Sequence, residues 1–205
     1  MRPVDQIRFT VSRGEEMNKK NNILEAATRS FSMFGYKATT IEQVAKLAKV
    51  GKGTVYNFYD NKEQLLKESV LLMIDEMKKE TENNFDPSIS FMENVHQSII
   101  RLLKYREQHL LFAKLLEEER QLQTPEVIEM ISSINREIVN YISEKLGLAV
   151  ERGEIRPCNV EVVAFVFLKS YLALVVDWQM TYSEPLTEQE IAEVIHQTII
   201  SGLSK

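Results

Sequence analysis

Apolar residues recur at intervals of three and four through most of this chain, the period of helices rather than strands. Leu24, Ala27, Phe31 and Phe34 are spaced three, four and three, which predicts a first helix from about Lys20 to Phe34 with Gly35 as its stop. Thr40 precedes Ile41, Val44, Ala45 and Ala48, and Gln43 stands three residues after it, a capping-box start for a second helix. Leu47 to Gly51 reads as a turn, Lys52 to Tyr59 as a short third helix, and Asp60-Asn61 as its end. Asn61 then caps a fourth helix running from Lys62 to the early 80s. After a loop from Glu82 to Pro87, helices are expected over 90–104, 107–121, 124–152, 159–181 and 187–203. Thr124-Pro125-Glu126 opens one of these with a cap, a first-turn proline and an acid. Gly153 closes it, Asn159 caps the next, Pro185 breaks the chain, and Thr187 with Glu190 forms a second capping box.

The resulting fold class is all-α, about nine helices. Residues 1–16 carry no helical period and are expected to be a disordered extension, with Met17 a candidate alternative start just ahead of the first helix. Residues 17–70 form a three-helix module with the start of a fourth, and 71–205 a larger helical body, the boundary falling inside the fourth helix near Leu71. The helix over 159–181 is apolar almost all round, from Val162 through Leu168 to Trp178, so it must be covered on most sides. The helix over 187–203 shows Ile191, Val194, Ile195, Ile199 and Leu203 on one face.

Composition agrees and narrows the possibilities. With 205 residues, only seven Gly and five Pro, the chain can bury a sizeable helical core. The single Cys158 cannot form an intrachain disulfide, which suits a reducing cytoplasm. The longest apolar stretch, 160–176, is interrupted by Glu161, Lys169 and Ser170, so no membrane span is expected, and the N-terminus lacks a signal-peptide core. The net charge of -5 hides an asymmetry. Residues 17–66 hold eight Lys and Arg against four Asp and Glu, whereas 67–205 hold fourteen against twenty-three. A basic module on an acidic body suits one end facing phosphate.

Two short helices joined by a tight turn are the helix-turn-helix that places its second helix in the DNA major groove. Phe34-Gly35-Tyr36, Thr39-Thr40-Ile41, Val44-Ala45, Ala48, Val50, Gly53-Thr54-Val55-Tyr56, Phe58-Tyr59 and Asn61-Lys62-Glu63 with Leu65-Leu66 carry a specific pattern over about 50 residues. In it the chain resembles the TetR family of bacterial transcriptional regulators. Lys49 and Gly51 depart from the usual residues of that pattern, and Lys49 is expected to take an unfavourable backbone angle in the turn. The resemblance implies a homodimer, formed through the last two predicted helices, on double-stranded DNA with an inverted repeat. It assigns DNA contacts to Thr40, Lys52, Thr54, Tyr56, Asn57 and Lys62, and Gly53 would let the backbone approach closely. Asn57 can reach a base edge, Tyr56 a phosphate, while Val55 and Phe58 pack inward. Thr40 and Lys62 stand at helix N-termini, which favour phosphate.

No catalytic, metal or cofactor site is expected. His96, His109 and His196 lie far apart, no nucleophile elbow, phosphate-binding glycine loop or cysteine pair occurs, and Glu117-Glu118-Glu119 reads as a solvated face. An effector would bind in the C-terminal body. Its candidate pocket walls are Met73, Met77, Phe91 and Phe112, then Leu116, Phe165, Tyr171 and Trp178, with His96 and Arg101 at its polar ends. The expected effector is a small apolar compound, neutral or cationic, or an acyl chain whose anionic head meets Arg101. The reading is a repressor released from its operator by that ligand. The alternatives are a ligand-independent architectural protein or activator, and a helical partner-binding module with a vestigial helix-turn-helix.

Overall fold

The computed structural model describes residues 3–104 and 110–204. Among them there is no strand. The helices are α1 (Pro3–Ala38), α2 (Ile41–Leu47), α3 (Lys52–Tyr56), α4 (Lys62–Asn83), α5 (Phe91–Lys104), α6 (Leu110–Leu122) and α7 (Pro125–Glu151). Then come α8 (Val160–Leu172), α9 (Trp178–Thr181) and α10 (Glu188–Ile195). A π turn, Ala173–Asp177, joins α8 to α9 without a break, and a second, His196–Ile200, extends α10 into a 3-10 turn, Ser201–Leu203. Counted as continuous rods these are the nine helices expected, among the described residues.

The caps fall where the side chains place them. Thr40 and Gln43 close a capping box on α2, and Thr187 and Glu190 do the same on α10. The Asn61 side chain accepts the Gln64 N–H at 2.8 Å, and that of Asn159 the Val162 N–H at 3.2 Å. Gly153 takes φ 68 after α7.

Four expectations are corrected. First, α1 is helical from Pro3, through the segment read as a disordered extension. No proline and only one glycine, Gly14, stand between Pro3 and the periodic region, so a helix nucleated downstream can propagate back through it. Second, the buried stripe of α1 is shifted by about one position. Ile23, Ala26, Ala27, Ser30 and Phe31 are buried, Leu24 is half-buried and Phe34 is exposed. Third, α3 ends at Tyr56 rather than Tyr59, with Asn57 as its C-cap. Fourth, Glu118 is not on a solvated face; it is 5% exposed. The expected start of α6 at Glu107 lies outside the described residues.

The chain divides into two compact units, and they differ from a simple cut near Leu71. One comprises residues 1–73 with 110–130, the other 74–109 with 131–205. Thus α6, distant in sequence, belongs with the helix-turn-helix, where it packs along α1. The core of this first unit holds Ile23, Phe31, Val44, Val55, Leu65 and Leu66, with Leu111 and Leu115 from α6. Fully burying each such aliphatic or aromatic side chain contributes about 1.5–3 kcal/mol. In the second unit Ile99 and Leu103 of α5 pack with Ile191, Ala192 and Ile195 of α10. A separate cluster joins Leu146 and Ala149 of α7 to Ala164 of α8 and Leu203.

Candidate nucleic-acid interface and effector cavity

The turn between α2 and α3 is built from backbone hydrogen bonds. The Ala48 N–H donates to Val44 O and the Val50 N–H to Ala45 O, both at 2.9 Å. Between them Lys49 takes φ 56, the strained angle its sequence position implied. Gly51 starts α3 without a side-chain cap, as expected for glycine there. On α3 the inward face is Val55, fully buried, followed beyond the helix end by Tyr59, also buried. Burial pushes the Tyr59 phenol up to about 12, with the Glu68 carboxylate adding to the shift.

The outward face carries Lys52, Gly53, Tyr56 and Asn57, all exposed, with Thr54 half-buried. Phe58, expected to pack inward, is half-buried. A methyl at Gly53 would meet nothing within 4 Å, so no intramolecular contact demands a glycine there. The Lys52 ammonium bonds to Glu42 on α2 and lies 5.8 Å from the Tyr56 ring centroid. That hydrogen bond raises the Lys52 pKa and lowers that of Glu42.

Two expected phosphate contacts are already engaged. The Thr40 hydroxyl accepts the Gln43 N–H at 3.2 Å, leaving it exposed but committed to its cap. Lys62 is turned inward. Its ammonium donates to Tyr36 O at 2.8 Å and Thr39 O at 3.1 Å, and sits 4.2 Å from the Tyr36 ring centroid. Burial lowers its pKa, opposed by Glu118 and Glu126.

In the second unit a cavity of about 490 Å³ opens among α4, α5, α7, α8 and the C-terminal turn. Of the ten residues expected to line a pocket, Met77 and Phe91 do. Met73, Phe112 and Leu116 are buried in the first unit's share of the chain instead. Phe165 is 51% exposed, and Trp178 stacks on Tyr182 at 4.1 Å between centroids. Tyr171 packs beside the α5–α10 cluster. His96 meets His196 edge-on at 5.2 Å, away from the lining. Arg101 donates to Asn84 O and Gln97 Oε1, both at 2.9 Å. His109 lies outside the described residues.

The wall that sequence reading missed is α7, through Ile138, Tyr141, Ile142 and Lys145. Their spacing of three, one and three was the available signal. The Tyr141 and Thr81 hydroxyls share a hydrogen bond of 2.7 Å at this wall. Lys78 and Lys145 flank the Tyr141 ring at 5.5 and 5.0 Å, and each is paired, with Glu137 and Glu82 respectively. The Glu82 hydrogen bond raises the Lys145 pKa. No group of three or more potential metal ligands occurs among the described residues, and no helix among them is long and apolar enough to cross a membrane.

The profile of the tetR family of bacterial regulatory proteins matches residues 23–69, from α1 into α4. The chain is 43% identical over 188 residues to the HTH-type transcriptional regulator YhgD of Bacillus subtilis (strain 168), a protein itself uncharacterized, covering 92% of this chain and 98% of that one. The chain belongs to the TetR family. It is therefore a helix-turn-helix transcriptional regulator, and TetR-family regulators bind DNA as dimers. A more distant relative is the transcriptional repressor KstR2 of Mycobacterium tuberculosis, 22% identical over 94% of this chain and 96% of its own. Among solved TetR-like folds, the SmeT–triclosan complex superposes with a TM-score of 0.72 at 18% identity, over 91% of this chain and 92% of that one.

Proposed function

We propose that this TetR-family regulator is a homodimeric repressor that holds an inverted repeat through α3 and releases it when an apolar effector fills the cavity of the second unit. The observation that carries the DNA contact is the two-sided chemistry of α3. Val55 anchors it from within, while Lys52, Gly53, Tyr56 and Asn57 form an exposed polar face. Gly53 has open space around it, so its lack of a side chain serves an outside partner, whose backbone or base edges come close. Asn57 suits an adenine edge, and Tyr56 and Lys52 suit phosphates. Lys52 exchanges Glu42 for phosphate on binding. Thr54 adds a hydroxyl at the edge of the face. Thr40 and Lys62 act behind it, as a helix cap and a turn support.

Dimerisation through α8 and α10 is supported by apolar side chains left in solvent. Val162, Phe165 and Val166 stand at helical spacing on α8, exposed by 55%, 51% and 45%, and Val194 is exposed on α10. Such a stripe is covered when two copies meet about a two-fold axis. The effector reading rests on the cavity: its size lies within the range of small-molecule sites, and its walls are largely apolar with one hydroxyl pair. A neutral apolar compound with a single polar end, met by Thr81 and Tyr141, fits this lining best. Arg101 is not at the lining; of the bases that are, Lys78 and Lys145 are paired with Glu137 and Glu82, and Arg152 is the one an anionic head would meet. SmeT, of similar fold, is known as a complex with triclosan, and the relative KstR2 is a repressor.

The test is an operator selected from random duplexes by the purified protein, then titrated with and without lipophilic phenols, long-chain acids and lipophilic cations. Loss of operator affinity with a compound of the first two classes is the expected result. An operator affinity indifferent to every compound, together with no compound protecting the protein thermally, would remove the effector half of the reading.

A further inference from the structure

The buried carboxylate of Glu118 is used by nothing described so far. It lies on α6, between Glu117, exposed and paired with Lys114, and Glu119. Burying a carboxylate is costly unless several hydrogen bonds replace its water. Glu118 has them. It accepts the Tyr36 N–H at 2.6 Å, the Lys37 N–H at 3.0 Å, and the Thr124 hydroxyl at 3.0 Å. Tyr36 and Lys37 belong to the turn that separates the body of α1 from α2. That turn begins at Gly35, which breaks the helix with φ 80 and ψ 174. A methyl on Gly35 would stand 2.5 Å from Glu118 Oε2, so the glycine permits both the angle and the approach of the carboxylate.

The same turn is held from its other side by a cation. Lys62 donates to the carbonyls of Tyr36 and Thr39, while Thr39 returns its hydroxyl to Gly35 O at 2.7 Å. Two backbone donors of the turn therefore go to an anion from α6 and two of its carbonyls to a cation from α4. Charge-assisted bonds of this kind are short and directional, so they fix position as well as contributing stability. Thr40, the cap of α2, follows the turn directly. Whatever fixes residues 35–39 thus fixes where the helix-turn-helix begins.

We propose that Glu118 is a positioning residue for DNA recognition, holding through the Gly35–Thr39 turn the orientation that α2 and α3 need to meet DNA. Glu118 lies 82 residues along the chain from Tyr36, and it makes α6 a working part of the DNA-binding unit. The inference rests on the DNA-binding reading above.

Glu118→Gln keeps the shape but replaces one acceptor with a donor facing backbone N–H groups. Glu118→Asp keeps the charge but is one methylene too short to span both. Each is titrated, at a temperature where circular dichroism shows it folded, against the selected operator and against versions with the half-sites one base pair closer or further apart. Glu118→Gln should bind the best operator about tenfold more weakly, the cost of leaving buried donors unpaired. It should also discriminate less between spacings, because a loosened module accommodates wrong separations. Glu118→Asp should fall between it and wild type, and Glu117→Gln should match wild type. Lys62→Met should reproduce the loss without reducing the salt dependence of binding, which a lost phosphate contact would reduce by about one. A role confined to stability would lower the melting temperature and leave affinity and spacing preference intact. That result in both Glu118 variants overturns the inference alone. Wild-type protein that selects no inverted repeat overturns the DNA-binding reading and this inference with it.

Discussion

Lys62 and Glu118 show how a side chain's role is set by partners far away in sequence. From sequence Lys62 is a cation at a helix start, and a phosphate is the natural partner. In the fold its ammonium is spent on two carbonyls of the preceding turn. Glu118 sits in a run of three glutamates, and only the packing of α6 on α1 distinguishes it from its neighbours. Neither role was legible, because local pattern carries no information about contacts 26 and 82 residues away. The exposed face of α3 was legible, because the helix and its buried residue Val55 define it locally. Gly53→Ala tests it cleanly. With open space at that position the substitution should leave the fold intact or stabilise it by up to about 1 kcal/mol, helix interiors preferring alanine. It should nevertheless weaken operator binding severalfold, and thermal melts with operator titrations check both halves. Tyr36 and Tyr59 give a second test at this scale. Both phenols are pushed up to about 12 by burial, above the ordinary value of 10.0. A raised folded-state pKa favours the folded protein fully below pH 10 and loses that contribution as pH rises towards 12. Two of the seven tyrosines should therefore ionise only as the first unit unfolds. Absorbance at alkaline pH, followed beside far-ultraviolet circular dichroism, should show the late phase and the unfolding together.

Element boundaries were readable wherever a side chain makes its own cap. Thr40, Asn61, Asn159 and Thr187 each bond the backbone three residues on, and each helix starts where that residue placed it. The π turns were not readable, since an extra residue per turn leaves the sequence pattern nearly unchanged. They follow α8 and extend α10. The cavity was readable at two positions only. Met77 on α4 and Phe91 on α5 were found by their chemistry, while the α7 wall was overlooked because Tyr141 and Lys145 look like surface residues. Helix α4 runs unbroken from Lys62 beside the helix-turn-helix to the cavity wall at Met77. An effector against Met77 is proposed to act through this helix, and must favour the DNA-incompetent arrangement to do so. A tenfold preference in each of two subunits amounts to about a hundredfold loss of operator affinity. Met77→Trp fills the space. It should retain operator binding and abolish the response to a compound that releases wild type, as read by the same titration. A full response in the variant would show that the signal takes another route.

At the scale of the whole molecule, charge and symmetry make the same statement. The basic excess over residues 17–66 falls on the module that carries α2 and α3, while the rest of the chain is acidic. A basic segment of this kind suits phosphate, and the acidic remainder does not. Two copies joined through α8 and α10 would present two such segments. The exposed stripe of Val162, Phe165 and Val166 offers a direct check on the joining. Phe165→Glu should shift the protein from dimer to monomer in sedimentation velocity and remove preference for two half-sites over one. Whether an exposed α3 face on each of two subunits grips an inverted repeat is decided by one titration. Fluorescence anisotropy on the selected operator, its isolated half-site and a scrambled duplex is measured across a series of salt concentrations. The full repeat should bind far more tightly than the half-site, with log affinity falling linearly in log salt by about 0.9 for each phosphate neutralised. Binding that ignores salt, or that treats the repeat, the half-site and the scrambled duplex alike, would contradict such a grip.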